Sequence, residues 1–349
     1  MSSASALAAG LAGWCRGAVV GVLRGGVEEV GVWGERVPGE PVGPEAVFDL
    51  ASVTKLATTV ATGRAVAEGR LQLGSTVGEL LEDAGLGPLG AVTVEQLLRH
   101  RSGLAPWAPL YLLADDPAGA VDWILRHGLR GRPGDAFVYS DLGMVLLGEL
   151  LVRRTGTPLP ALLEQAVAEL AGRPVLRAGG ADPALAVASD EGDAVERRMV
   201  DTGEPHPVPS GLDVDSFAWR TRLLVGETDD GNAYHAFGGV AGHAGGFASV
   251  PGLLAWGDGI VRAWHGADGP AAHGVRALLS APAVDGQGLG FRHRDVGTPL
   301  FWHPGFTGTA LAVLPERRLV LALGASRLLV PEPVPTTELF DHVLRELLR

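Results

Sequence analysis

The stretch FDLASVTKLATT contains a serine and a lysine three residues apart, and this pair is the first candidate for chemistry. Lys55 is the only lysine of the 349-residue chain, whose other long cationic side chains are 27 arginines. If a helix begins near Ser52, residues three apart share a face, so the amine can reach the hydroxyl. An amine whose pKa is lowered by burial or by nearby positive charge can accept a proton, whereas a guanidinium stays protonated. The spacing therefore predicts a serine nucleophile with a lysine as its proton acceptor.

The same spacing has a purely structural alternative. Ser52 can be a helix cap, with Lys55 a solvated residue of the first turn. A lysine at that position lies at the unfavourable, positive end of the helix dipole, which argues for a chemical role. The two residues alone leave both interpretations open.

A second candidate lies in FVYSDLGMVLLGELL, where Tyr139 and Asp141 stand just before and at the start of an apolar helical pattern. A phenol beside Lys55 can share in taking the serine proton, and a carboxylate there can orient the lysine or a substrate amide. The structural alternative makes Asp141 a helix N-cap and Tyr139 an aromatic loop anchor. Taken alone, this second motif favours the structural reading.

A third candidate is FWHPGFTGTALAVLPERR, in which His303 and Gly305 form a turn that enters a strand. Such a turn exposes a backbone edge that can donate an N–H to an oxyanion. A lone histidine in a turn is the commoner case. Trp107 and Trp302 are further candidates for an acyl pocket, although tryptophans near loops more often serve packing.

The elements that must position these residues follow from hydrophobic periodicity. An N-terminal helix is followed by a hairpin, GAVVGVLRGG and VEEVGVWGER, and strand patterns return in the last hundred residues with PERR as a hairpin connection. Helical patterns dominate between them. These patterns predict an α/β (α+β) fold in which both ends of the chain share one antiparallel sheet flanked by helices. The expected domains are 1–69 with 236–349, and an inserted, mostly helical domain over 70–235, in which residues 178–232 form a long surface excursion.

In order and separation, the three motifs resemble the serine hydrolase superfamily of class C β-lactamases, penicillin-binding-protein-like D,D-peptidases and family VIII esterases. The phrases LLRHRSGL and GGVAGHAGGFAS extend the resemblance, which covers roughly residues 10 to 348. It implies an antiparallel α/β domain with an inserted helical domain and an active site in the cleft between them. It also implies acyl transfer without a metal or organic cofactor.

Carried over residue by residue, the resemblance makes Ser52 the acylated nucleophile, Lys55 its activating partner and Tyr139 the general base and acid. Asp141 occupies the position usually held by asparagine. His303 occupies the first position of the family's Lys-Thr-Gly motif. The oxyanion hole would use the backbone N–H groups of Ser52 and of Phe306, which follows Gly305.

Two departures from the family pattern bear on the substrate. HPG in place of Lys-Thr-Gly lacks both the lysine and the threonine that help to hold a β-lactam carboxylate, and Asp141 adds negative charge. We therefore expect hydrolysis of ester or amide-like acyl compounds. The alternatives are a β-lactamase or D,D-carboxypeptidase that binds its carboxylate through a protonated His303 or an arginine, and a non-catalytic scaffold.

Composition limits the classes of partner and cofactor that this chain can have. A net charge of −12 with scattered arginines argues against nucleic acid, and the single Cys15 excludes an intrachain disulfide. A hydrolytic metal site is disfavoured because His100, His235, His243 and His303 are dispersed and HExxH is absent. The N-terminus lacks a basic leader and no apolar run is long enough to span a bilayer, so we expect a cytoplasmic enzyme with a small-molecule acyl substrate. Its oligomeric state does not follow from the sequence.

Overall fold

The strands of the computed structural model, which describes residues 2–83 and 85–349, follow the chain in this order. They are β1 Gly17–Arg24, β2 Val27–Val37, β3 Glu40–Pro41, β4 Val47–Asp49, β5 Arg177–Ala178, β6 Ala188–Glu191, β7 Leu223–Val225, β8 Gly246–Ser249, β9 Arg292–Asp295, β10 Pro299–Pro304, β11 Ala310–Leu314 and β12 Leu319–Ala325. In the part of the chain that the structure describes, no strand lies between β4 and β5, which are more than a hundred positions apart, as the helical patterns predict.

Helices occupy that interval and also stand at both ends of the chain. They are α1 Ala4–Ala9, α2 Thr54–Ala67, α3 Val77–Leu81, α4 Gly87–Gly90, α5 Val94–Leu98, α6 Leu110–Leu113, α7 Pro117–His127, α8 Asp141–Thr155, α9 Leu159–Ala171, α10 Ala194–Thr202, α11 Val250–Trp264, α12 Pro270–Ser280 and α13 Thr336–Leu348. Short helical turns stand at 51–53 and 232–236.

The main sheet joins the two ends of the chain. Its seven strands lie in the order β3-β2-β1-β12-β11-β10-β9, and the neighbouring pairs are antiparallel. The β1–β2 hairpin turns through Gly25 and Gly26, whose φ angles of 56° and 88° suit the tight turn that matches strand twist. The predicted antiparallel sheet is confirmed.

Both faces of this sheet are covered, because alternate residues of a strand point to opposite sides. In β12, Leu319, Leu321 and Leu323 join an apolar cluster with α1 and α13. Val320 and Ala322 face the larger cluster, which contains α11 and most of the helical interval. Because both faces of the sheet are buried at β12, the sequence of this strand is an unbroken apolar run.

Two expectations about single segments are corrected. Residues 178–232 are not merely a surface excursion, because they contribute β6, α10 and β7 and bury Asp190 and Arg220. His303 lies inside β10 and not in a turn that enters a strand. The division into domains at residues 69 and 235 stays a prediction. Within residues 2–83 and 85–349, no helix is long and apolar enough to cross a membrane.

Candidate active site

The nucleophile candidate stands at the junction between β4 and α2. Ser52 lies in a single turn of 3-10 helix, 51–53, that continues directly into α2. Lys55 follows one turn later, and its Nζ donates to Ser52 Oγ at 2.7 Å. The Lys55 side chain is only 1% exposed, so the solvated-lysine alternative is wrong.

Lys55 is held as a buried cation. Its Nζ lies 2.8 Å from Asp141 Oδ1 and donates to the backbone carbonyl of His243 at 3.2 Å. Burial acts to lower the pKa of Lys55, but the Asp141 carboxylate and Tyr139 outweigh burial and leave that pKa above its ordinary value. The expectation of a lowered lysine pKa is therefore wrong, and the resting site contains an ammonium.

The backbone just before Ser52 is strained. Ala51 has φ +44°, a left-handed conformation that costs a non-glycine residue on the order of 1 kcal/mol. Its N–H donates to Asp49 Oδ1 at 2.7 Å, while Asp49 Oδ2 accepts the Asp229 N–H at 2.7 Å. Burial raises the pKa of Asp49 to about 6, although these two N–H groups oppose the rise. Asp49 has no visible motif in the sequence, yet its carboxylate ties the turn at 51–53 to a residue 180 positions away.

Tyr139 is positioned by a histidine that the sequence analysis gave no role. The rings of His100 and Tyr139 lie 4.6 Å apart, and Lys55 Nζ lies 5.0 Å from the centre of the Tyr139 ring. His100 Nδ1 accepts the Ser140 N–H at 3.1 Å, which places any ring proton on Nε2. Burial, together with the charges of Lys55 and Arg292, lowers the pKa of His100 to about 3, so this imidazole is neutral.

At the start of α8, Ser140 caps the helix and Asp141 faces the site. Ser140 is the N-cap, since its Oγ accepts the Gly143 N–H at 3.0 Å and donates to the Ala105 carbonyl at 2.6 Å. Asp141 is the first helical residue, so the interpretation of Asp141 as the cap is wrong. Its carboxylate is free to meet Lys55.

A glycine-rich loop carries the remaining support for Lys55. Thr58 Oγ1 donates to the Gly242 carbonyl at 2.8 Å, which fixes the loop against α2. His243 Nε2 lies 2.9 Å from Asp230 Oδ1, so this ring meets a carboxylate. A Cβ on Gly242 would lie 1.9 Å from the Met144 carbonyl, which explains the glycine.

The residues of the third motif lie in two places, some in the buried core and some at the cleft. His303 is 1% exposed behind Tyr139, at 6.0 Å between rings, and its Nδ1 donates to the Pro304 carbonyl. Burial and the charges of Lys55 and Arg292 hold the pKa of His303 well below its usual range. His303 therefore does not contribute to the cleft lining, and the structure does not place it as a substrate contact. A neutral ring also argues against carboxylate binding by a protonated His303.

Gly305 and Phe306 have different surroundings. The Gly305 N–H donates to the Thr309 carbonyl at 2.6 Å, and a Cβ at Gly305 would lie 2.3 Å from the Leu50 carbonyl. Only glycine lets this strand end approach the nucleophile turn so closely. Phe306, by contrast, lines the cleft at Ser52.

The cleft itself has a volume of about 340 Å³ and brings together Ser52, Tyr139, Asp141 and Phe306. Trp107 lines it, whereas Trp302 stacks on Phe340 at 4.5 Å in the core beyond the sheet. Much of the remaining wall comes from the segment 190–230 and is acidic. Sequence reasoning missed this wall, although the phrases SDEGDAVE and TDDG were its visible signal.

One trio of side chains has metal-ligand chemistry. Carboxylate and imidazole atoms of Asp141, Asp230 and His243 lie within 4.8 Å of one another. Lys55 Nζ already stands 2.8 Å from Asp141, so an ammonium supplies the positive charge that a metal would bring. The trio is better explained as the support of Lys55.

Comparison with known proteins places this geometry in context. The family model described as Beta-lactamase matches residues 4–342. A putative D-alanyl-D-alanine carboxypeptidase of Escherichia coli K12 is 25% identical over 317 residues, 79% of this chain and 68% of its own length. Esterase EstB of Burkholderia gladioli is 33% identical over 199 residues, 51% of this chain and 50% of its own length.

The fold comparison agrees with the sequence comparison. The crystal structure of a class C β-lactamase from Rhodobacter sphaeroides superposes with a TM-score of 0.70 at 19% identity, covering all of both chains. The recognised resemblance and the predicted fold class are confirmed. Since the family model spans nearly the whole sequence, the chain belongs to the β-lactamase family.

Proposed function

We propose that this protein is a serine hydrolase that acts through an acyl-enzyme at Ser52 on ester or amide-like acyl substrates. The observation that carries the proposal is the 2.7 Å contact between Ser52 Oγ and the buried Lys55 ammonium at the edge of a cleft. Membership of a family that includes carboxypeptidase and esterase relatives supports a hydrolase. No step of the proposed reaction uses a cofactor.

The proposed cycle has two acyl transfers. Tyr139 acts as the general base and takes the Ser52 proton while the serine oxygen attacks the substrate carbonyl carbon. The tetrahedral intermediate collapses, and the leaving group departs with the proton from Tyr139. Water then attacks the acyl-enzyme and gives its proton to Tyr139, which passes that proton to the Ser52 oxygen as the acyl–serine bond breaks and the acid is released.

Lys55 has a different role in this cycle from the one its spacing first indicated. A raised pKa makes it a poor resting proton acceptor, so we assign it the stabilisation of negative charge on the oxygens of Ser52 and Tyr139. Asp141 and the His243 carbonyl hold the ammonium in place. His100 is a positioning residue for Tyr139.

The oxyanion of the tetrahedral intermediate needs backbone donors. We assign this role to the N–H groups of Ser52 and Phe306, as the family resemblance implies. The Gly305 N–H is already bonded to Thr309, which directs the assignment to the next residue. Each such donor contributes about 3 kcal/mol to transition-state stabilisation in comparable acyl-transfer enzymes.

A second candidate function is β-lactamase or D,D-carboxypeptidase activity. Arg327 lines the cleft and is the one arginine among the described residues that do so, so it is the group that could meet a substrate carboxylate. Its guanidinium already donates to the Phe306 and Val334 carbonyls. With His303 neutral and buried, this candidate has less support than ester or amide hydrolysis.

The test is turnover of p-nitrophenyl butyrate and of nitrocefin by wild type and Ser52→Ala, with mass spectrometry of the Ser52 peptide. Ester hydrolysis with a covalent label on Ser52, lost in the variant, is the expected result. Preferred turnover of nitrocefin would favour the second candidate. A folded protein that hydrolyses neither and takes no fluorophosphonate label would indicate a scaffold.

A further inference from the structure

The turn between β10 and β11, residues 305–309, carries the Phe306 N–H that we assign to the oxyanion hole. In the part of the chain that the structure describes, this N–H donates to no acceptor, and Phe306 lines the cleft at Ser52. A donor stabilises an oxyanion well only when its direction is fixed before the reaction begins. The groups that hold this turn therefore decide how well the N–H can serve.

Two buried threonines of the turn hold it against the residues just before Ser52. Thr307 Oγ1 donates to the Asp49 carbonyl at 2.8 Å. Thr309 Oγ1 donates to the Leu50 carbonyl at 2.9 Å. The two backbone segments that carry the proposed oxyanion donors are therefore joined by direct hydrogen bonds.

A third threonine, Thr336 at the first position of α13, acts on the oxyanion peptide itself. Its Oγ1 donates to the Gly305 carbonyl at 2.7 Å, and the residue is only 5% exposed. The Gly305 carbonyl and the Phe306 N–H belong to one peptide unit, which is trans. In a planar trans peptide the carbonyl and the N–H point in opposite directions. A hydroxyl that fixes the carbonyl towards α13 therefore aims the N–H away from α13.

The same hydrogen bond strengthens the N–H as a donor. Hydrogen bonds that share one amide polarise one another, and they do so most where water is excluded. The Gly305 carbonyl also accepts the Gly308 N–H at 3.1 Å, so it keeps a partner if the hydroxyl is removed. The hydroxyl plays no part in capping α13, whose N-cap is Pro335. Its one hydrogen bond is therefore directed at the oxyanion peptide.

Arg327 holds the next carbonyl of the turn. Its Nε donates to the Phe306 carbonyl, and its Nη1 donates at 3.0 Å to the carbonyl of Val334, just before α13. Together with Thr336, this arginine connects the start of α13 to two successive carbonyls of the turn. The Phe306 N–H lies between these two carbonyls along the backbone, so its direction is fixed from both sides.

We propose that Thr336 is a positioning residue for the oxyanion hole, in which its hydroxyl orients and polarises the peptide that presents the Phe306 N–H. This inference rests on the proposed acyl-transfer function and adds to it a residue that none of the three motifs contains. Thr336 is not among the residues that line the cleft, so it acts through Gly305 and not on the substrate.

The experiment compares two variants of Thr336 with a matched control. Thr336→Val keeps the shape of the side chain and removes the hydroxyl, whereas Thr336→Ser keeps the hydroxyl. The control is Thr62→Val, which loses an equally buried bond, from Thr62 Oγ1 to the Thr58 carbonyl at 2.7 Å within α2. The measured quantities are kcat and KM for p-nitrophenyl heptanoate, with circular dichroism as a folding control. The inhibition constant of hexylboronic acid, in which boron replaces the carbonyl carbon of the heptanoyl group, reports on the tetrahedral state.

We expect Thr336→Val to lower kcat about tenfold with little change in KM, because oxyanion contacts strengthen in the transition state. Hexylboronic acid should bind this variant more weakly by a similar factor. Thr336→Ser should stay within about twofold of wild type, and Thr62→Val should leave kcat unchanged. A kcat for Thr336→Val that matches Thr62→Val, or a serine variant as impaired as the valine variant, would overturn the positioning role.

A measurement without substrate separates this inference from the proposed function. Protein labelled with ¹⁵N-phenylalanine contains nine labelled amides, and the Phe306 signal is the one that disappears in Phe306→Leu. On a Ser52→Ala background, a shift of this signal in Thr336→Val that Thr336→Ser largely reverses supports the positioning role even if no ester is hydrolysed. An unshifted Phe306 signal in Thr336→Val would rule that role out, whatever the turnover.

Discussion

At the scale of single residues, Lys55 shows how composition and environment combine. Its uniqueness indicated a task that arginine cannot perform, and proton acceptance was the obvious one. The structure instead makes Lys55 a compact cation, 1% exposed, that touches a hydroxyl, a carboxylate and a carbonyl at once. An ammonium, with its three N–H donors, fits this small set of three acceptor oxygens better than a planar guanidinium does.

This view of Lys55 predicts an order of activities among its variants. Lys55→Met removes the cation and lowers kcat/KM for p-nitrophenyl heptanoate by about 10²–10³-fold. Lys55→Arg keeps the charge in a poorer geometry and falls between Met and wild type. Steady-state kinetics, with circular dichroism as a folding control, gives the order. Equal inactivity of the two well-folded variants would instead support proton acceptance by the neutral amine.

At the scale of elements, the site depends on how closely α2, α8 and the glycine-rich loop approach one another. Thr58 on α2 bonds the loop at Gly242, and Gly242 packs on the Met144 carbonyl of α8. The next residue offers its carbonyl to Lys55. Close packing here is therefore a condition for the catalytic geometry.

A glycine substitution tests this dependence. Gly242→Ala places a Cβ 1.9 Å from the Met144 carbonyl, so the loop must move. We expect a loss of about 1–3 kcal/mol in the free energy of unfolding and a fall in kcat/KM, because the His243 carbonyl is displaced from Lys55. The control is Gly74→Ala, at an open position where a Cβ meets nothing within 4 Å. Urea denaturation in which both variants match wild type would show that this contact is unimportant.

At the scale of the whole molecule, the cleft combines segments from distant parts of the chain. The turn at 51–53, the start of α8 and the segment 190–230 meet around Ser52. This assembly concentrates buried carboxyl groups, so stability should depend on pH. The turn that carries Ser52 and the acidic wall therefore face each other across one cleft.

The pH dependence has a definite sign for Glu196. Its pKa rises from an ordinary 4.5 to about 8 in the folded protein, so the folded state binds more protons than the unfolded state between those values. Its contribution to stability is complete below pH 4.5 and is lost as pH rises through 8. Glu196→Gln removes this contribution and should reduce the fall in unfolding free energy between pH 5 and pH 8 by about 3 kcal/mol.

Urea denaturation of wild type and Glu196→Gln at pH 5, 6, 7 and 8 measures this difference. Glu332→Gln, at an exposed position outside the cleft lining, is the control and should follow wild type. Parallel pH profiles for wild type and Glu196→Gln would show that Glu196 is ionised in the folded protein at neutral pH.

The sequence by itself determined what depends on neighbours along the chain. Helical spacing placed Lys55 against Ser52, paired glycines closed the β1–β2 hairpin, and the apolar runs at both ends indicated one antiparallel sheet. These inferences succeeded because hydrogen bonds within a helical turn or a hairpin join residues a few positions apart. The order of three motifs was enough to indicate the family.

Only the tertiary structure decided the properties that arise across long separations. Lys55 bonds a carbonyl 188 residues away, and Asp49 bonds an N–H 180 residues away. Burial and through-space charge set the raised pKa of Lys55 and the neutral state of His303. The order of residue types along the chain contains neither the burial of a group nor the charges around it. Both depend on which distant groups pack against one another and exclude water.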